Sequence, residues 1–156
     1  MRRTGTFVQE QLGLTPLSVS ADRIAHVALR CAGVLAALEA TAGPVDRAGT
    51  GPVAEVYPAA SLRAWGLPHR GYKQKTTKDV LSDLVDRLRQ QAPWLDCAAH
   101  EQAMRDSHDI FDAVIAAMTA RAAALSQVLL PERDDLTAAS AEGWIAIPSE
   151  PIGALP

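Results

Sequence analysis

The chain has 156 residues, the size of one ordinary domain, and 48% of them are hydrophobic against 21% charged. That balance excludes an intrinsically disordered or low-complexity protein. The formal charge is −3, so any affinity for nucleic acid must come from the distribution of charge and not from its sum. Cys31 and Cys97 stand apart, without CxxC or Cys/His spacing, which excludes a zinc knuckle or a disulfide scaffold and fits two free thiols in the cytoplasm.

In chain order, the N-terminal MRRTGTFVQEQLG carries two arginines with no apolar run behind them, so it is not a signal peptide. Residues 15–20 (TPLSVS) read as an extended entry to a helix, with Ser20 as its N-cap. From Ala21 onward Ile24, Val27, Ala28, Cys31, Val34, Leu35 and Leu38 recur at helical spacing. This predicts an amphipathic helix with a buried face, ending near Thr41 or Gly43. The longest apolar stretches are Ala-rich and broken by Arg or Asp, so none is expected to supply the roughly 20 residues of a membrane span. Residues 42–52 form a Gly/Pro loop.

Residues 53–57 (VAEVY) are a short, nearly continuous apolar run stopped by Pro58, the pattern of a strand buried on both faces. Glu55 lies in the middle of that run. An unpaired carboxylate there would be costly, so it requires an Arg or Lys, a metal, or an edge open to water. Residues 61–78 (SLRAWGLPHRGYKQKTTK) then contain Arg63, Arg70, Lys73, Lys75 and Lys78 and no acid. A short helix or loop is expected, followed by irregular chain around Pro68 and Gly71. This cationic stretch suits a surface that contacts phosphates, and suits a solvated loop as well. The stretch from Glu132 to Glu150 is predominantly acidic.

Thr77 is placed to cap a helix running to about Gln91 and buried through Val80, Leu81, Leu84, Val85 and Leu88, after which Pro93, Trp94 and Leu95 turn the chain. A long helix is predicted from Ser107 to about Val128, with Ile110, Phe111, Val114, Ala117, Met118, Arg121 and Leu125 along one side. Residues 131–141 read as a polar connection, EGWIAIP (142–148) as a final strand, and 149–156 as a loose tail.

Asp109 and Asp112 are three apart and share one face of that long helix. Asp106 and Asp109 are explained by the favourable field at a helix start. Asp112, in the second turn between Phe111 and Ala113, is better explained by a shared cation. His108 either joins it as a ligand or is an exposed residue of the helix start.

PLSVSADRI, EVYPAASLRAWGLPHRGYK, DIFDAVIAAMTARAA and EGWIAIP occur in this order across most of residues 3–148. Together they resemble an uncharacterised bacterial "domain of unknown function" family of predicted RNase H-like nucleases, similar to the Holliday-junction resolvase kind. The resemblance implies an α/β, partial RNase H-like fold, mostly helical, as a single domain over 1–148. A central strand at about 53–57 and a C-terminal strand at about 143–147 are its expected sheet elements. It also implies that Glu55, Asp109 and Asp112 are the catalytic metal ligands, holding Mg²⁺ or Mn²⁺, and that Arg63, Arg70 and Lys73 bind substrate. Hard divalent cations take oxygen ligands, and a pair of them stabilises both the attacking and the leaving oxygen of a phosphodiester.

The chain departs from that pattern at its start. The family opens with an Asp-bearing strand and two antiparallel strands; here no such strand precedes Ser20, the first acid is Glu10, and Gly5 follows RRT where an acid belongs. Two functions follow: a metal-dependent nuclease, or a non-catalytic RNase H-like remnant that binds nucleic acid or a protein. Loss of the first strands would leave the 53–57 strand and the Ile24 and Ile110 helix faces short of packing surface, so self-association or pairing with the missing segment is expected.

Overall fold

Helix formation dominates the chain for a compositional reason: alanine, leucine and arginine are frequent, and glycine and proline are concentrated between the periodic segments. The computed structural model describes residues 2–17, 25–74 and 78–156. It is an α/β protein, about 60% helical, and its strands β1 (Glu55–Val56) and β2 (Ile145–Ala146) form a two-stranded parallel pair. The expected fold class, mostly helical with one strand near 53–57 and one near 143–147, is therefore what the chain adopts; both strands are shorter than the apolar runs that predict them. The predicted caps Ser20 and Thr77 and the helix start at Ala21 lie outside the described residues. The chain divides into two compact units, Met1–Glu55 with Leu130–Ile145, and Val56–Leu129 with Ala146–Pro156.

In the first unit, helix α1 (Arg3–Leu12) buries Thr4, Gly5, Phe7 and Val8. No helix is expected there from periodicity, because its apolar residues are too few to mark a stripe. Gly13, at φ 64°, ends it in the left-handed region and donates its N–H to Gln9 O. Helix α7 (Leu136–Glu142), entered through a 3₁₀ turn at Arg133–Asp135, packs on α1. Residues 131–141, read from the sequence as a polar connection, are thus mostly helical. Trp144 closes the core of this unit, its ring centroid 4.7 Å from that of Phe7. The buried Ile145 N–H donates to Thr4 Oγ1 at 2.8 Å, so no backbone donor is left unpaired at that point.

Helix α2 (Ala25–Ala42) exists as predicted, but its predicted buried face does not. None of its residues is buried, and Val27 and Val34 are 69% and 60% exposed. By length and composition alone it suffices to cross a membrane, contrary to the expectation that no stretch would. Periodicity reports that a helix has an apolar side; it does not report what covers that side.

In the second unit, helix α3 (Pro58–Ala64) begins at the proline that ends the strand. Pro58 serves both roles, because its missing N–H is not needed in the first helical turn. Helix α4 (Lys78–Gln91) buries Leu81, Leu84, Val85 and Leu88 as predicted, while Val80 is exposed. Helix α5 (Glu101–Asp106), not anticipated from its short polar sequence, is fastened to α4 by Arg105. That guanidinium reaches Asp86, Glu101 and the carbonyl of Ser82, and its pKa is raised chiefly by the bonds to Asp86 and Glu101.

Helix α6 (His108–Ala124) starts at Ser107, whose Oγ accepts the Ile110 N–H. It buries Phe111, Ile115, Met118, Thr119 and Ala122, a face rotated from the predicted one, and leaves Ile110 exposed. Almost every position of this Ala-rich helix is apolar or small, so the pattern defines no single side. The packing is set by α3: the Thr119 hydroxyl lies 2.8 Å from Ser61 Oγ, and both residues are buried. Residues 149–156, expected to be loose, are held down. Ile152 and Leu155 are buried, Arg121 donates to Leu155 O, and Trp65 Nε1 donates to Glu150 O at 3.2 Å.

Candidate functional site

Helix α3 carries Arg63 in its last turn, and the loop that follows it carries Arg70 and Lys73. This loop is tied down on both sides of its exposed stretch. Leu67 is buried and donates its N–H to Leu62 O at 2.8 Å. Tyr72 is buried and sets its ring edge-on to Phe111, with centroids 5.9 Å apart. Between these anchors lie Pro68, His69, Arg70 and Gly71, the last at φ 84°, a conformation that a Cβ disfavours.

Asp112 on α6 receives two donors from this loop. Tyr72 Oη donates to Oδ1 at 2.8 Å, and Lys73 Nζ donates to Oδ2 at 2.5 Å. The Lys73 ammonium also stands 5.5 Å from the Tyr72 ring centroid. Asp112 keeps only 17% of its side-chain exposure. Burial, and then the adjacent Asp112 charge, push the Tyr72 phenol above its ordinary pKa, so it remains a protonated donor at neutral pH.

Arg63 and Arg70 are exposed, and among the described residues neither forms an ion pair. Both act on His69. Burial lowers the imidazole pKa first, the Arg63 charge adds to this, and Arg70 adds less. His69 is therefore neutral at pH 7, and its Nε2 has no hydrogen-bond partner among the described residues.

Glu55, in the first unit, has the first of the three compensations its setting demands: an arginine. Arg2 holds it in a forked pair, with Nη1 2.9 Å from Oε2 and Nη2 on Oε1, and Nη1 also donates to the carbonyl of Glu142 at 2.9 Å. The Arg2 pKa is raised by Glu55 against the opposing effect of burial. Gly143 makes room for the group, since a Cβ there would sit 2.8 Å from Glu55 Oε2 and 3.0 Å from Arg47 Nη2. Arg3 pairs with Asp135 and presents its backbone N–H to Glu142 Oε2 at 2.8 Å.

Asp109 is 87% exposed and lies 3.0 Å from His108 Nδ1. Of the residues singled out from sequence, the structure joins Lys73 to Asp112 and sets Arg63 and Arg70 about His69. It leaves Asp109 in solvent and gives Glu55 to Arg2. Among the described residues no three His, Cys, Asp or Glu side chains are grouped to hold a metal ion. Arg2, His69 and Tyr72 are the participants that sequence reasoning does not reach. Arg2 and Glu55 are 53 positions apart with no pattern linking them. Tyr72 carries a weak signal, as a lone aromatic in a polar loop.

The Arg2 pair predicts a sign. Glu55→Gln is expected to lower stability in metal-free buffer by about 1 kcal/mol, the scale of a half-exposed forked pair. A carboxylate kept unpaired for a cation would behave oppositely, and a higher thermal midpoint for the variant would refute the pairing.

These features define a mostly helical α/β protein in which Glu55, Asp112 and Asp135 each meet a basic side chain, and in which Arg63 of α3 and Arg70 of the following loop form no ion pair among the described residues. The chain belongs to the family described as "Protein of unknown function (DUF429)", which it matches over residues 1–136. No curated protein and no solved structure matches it.

Proposed function

We propose that this chain is an RNase H-like module that binds nucleic-acid phosphates through Arg63 and Arg70. The observation that carries the reading is two exposed guanidiniums beside a neutral imidazole, with no carboxylate paired to either among the described residues. Arginine forks match phosphate oxygens in pairs, and unpaired ones lose no intramolecular partner on binding. The ordered resemblance of EVYP, RGYK, DIFDA and EGWIAIP to predicted RNase H-like nucleases supports the class of ligand.

Metal-dependent phosphodiester hydrolysis is a second reading, favoured by the exposed Asp109 one helical turn from Asp112. With Glu55 these would be the ligands for Mg²⁺ or Mn²⁺. It requires Lys73 to leave Asp112 and Arg2 to leave Glu55.

The test is fluorescence anisotropy with labelled single-stranded and duplex DNA and RNA over a range of salt. Affinity should fall with salt, and the double variant Arg63→Gln/Arg70→Gln should flatten the log–log slope by about 1.4 to 1.8, two phosphate contacts' worth. No binding by the wild type at low salt would end the proposal. Mg²⁺-dependent cleavage that disappears in both Asp112→Asn and Glu55→Gln would establish the second reading.

A further inference from the structure

The geometry points to Asp112 as a positioning residue for the phosphate-binding loop, acting through Tyr72 and Lys73; this rests on the nucleic-acid reading above. The stretch Pro68–Gly71, half-buried at Pro68 and His69 and exposed at Arg70 and Gly71, is short and spans two buried anchors, Leu67 and Tyr72. The Leu67 end is fastened by a backbone bond to α3. At the far end, the polar bonds from Tyr72 and Lys73 both terminate on the single carboxylate of Asp112. Gly71, left-handed at φ 84°, adds no side chain to stiffen the stretch. Arg70 is thus two residues from the anchor that Asp112 holds. Losing the two polar bonds leaves the Tyr72 ring on Phe111 but loosens that anchor, and so widens the orientations open to Arg70, which binding must then restrict at an entropic cost.

A simple electrostatic surface makes the opposite prediction. Asp112 is an anion next to a proposed anion site, and removing it would free the Lys73 ammonium as well. If charge alone mattered, Asp112→Ala would bind an oligonucleotide more tightly and with a steeper salt slope. If Asp112 holds the loop, Asp112→Ala binds more weakly although it gains net positive charge.

The experiment pairs anisotropy of a fluorescein-labelled single-stranded DNA with limited trypsin cleavage after Arg70 and Lys73, using the full chain. Asp112→Ala should lose about five-fold in affinity, the cost of ordering one flexible side chain, and should be cut faster in this loop. Tyr72→Phe keeps the ring against Phe111 and drops only the hydroxyl, so it should move both readouts the same way by less. Asp112→Asn keeps an acceptor for Tyr72 and should recover part of the loss. Should Asp112→Ala fail to fold by circular dichroism, Tyr72→Phe and Asp112→Asn decide. Equal or tighter binding with unchanged cleavage in these variants overturns the inference. Faster cleavage with no binding even by the wild type would uphold the loop anchor and overturn the nucleic-acid reading.

Discussion

Trp144→Ala is expected to destabilise the chain by about 3–5 kcal/mol, the usual cost of emptying a buried aromatic site. Trp144 is almost fully buried and joins three parts of the first unit. Its ring packs on Phe7 of α1 and its Cδ1 lies 3.6 Å from where a Cβ on Gly49 would stand, while its backbone N–H, which the alanine variant keeps, donates to Arg47 O at 2.9 Å. The small α1 and α7 helices have little other apolar surface to share, so collapse into the vacated space would be limited. Urea unfolding followed by circular dichroism at 222 nm measures the loss. Trp144→Phe should recover part of it, because the aromatic contact with Phe7 survives in reduced form. A loss below about 1 kcal/mol for the alanine variant would show that the first unit is organised around something else.

Phe111→Ala is expected to cost a similar amount, about 3–5 kcal/mol, in the second unit. Phe111 has no exposed surface and is the wall against which Tyr72 is set. Removing it should also loosen the RGYK segment, so the stability loss and faster tryptic cleavage after Lys73 should appear together. A double-mutant cycle with Tyr72→Ala should show about 0.5–1.5 kcal/mol of coupling from the edge-on ring contact. Additive losses would mean that the ring pair contributes only its separate burial.

How much of this was legible in the residues varies by element, and the reason is consistent. Helix α4 alternates charged and aliphatic residues cleanly, and its buried set came out as Leu81, Leu84, Val85 and Leu88. Pro58 and Ser107 marked boundaries through local backbone chemistry and stand where strand end and helix cap are found. Helix α6, by contrast, is alanine on most sides, and only the Ser61–Thr119 contact shows which face turns inward. The candidate site divides in the same way. The cationic composition of residues 61–78 was readable, and among the described residues Arg63 of α3 and Arg70 of the loop form no ion pair. The metal-ligand roles of Glu55, Asp109 and Asp112 came from the family resemblance and stand as the second reading proposed above; the cost of burying a carboxylate demands only a cationic partner and does not name one. Arg2 and Lys73 supply it.

The amino-acid sequence by itself determined that helices occupy most of the regions of α2, α4 and α6, that Pro58 and Ser107 mark element boundaries, and which residues carry charge. These follow from backbone propensity, capping and periodicity, which act over a few neighbouring positions. Only the tertiary structure decided which acid meets which base, that α2 presents no buried face, and that the last eight residues are held by Arg121 and Trp65. Those outcomes depend on groups that are tens of positions apart along the chain, and their proximity is set by packing.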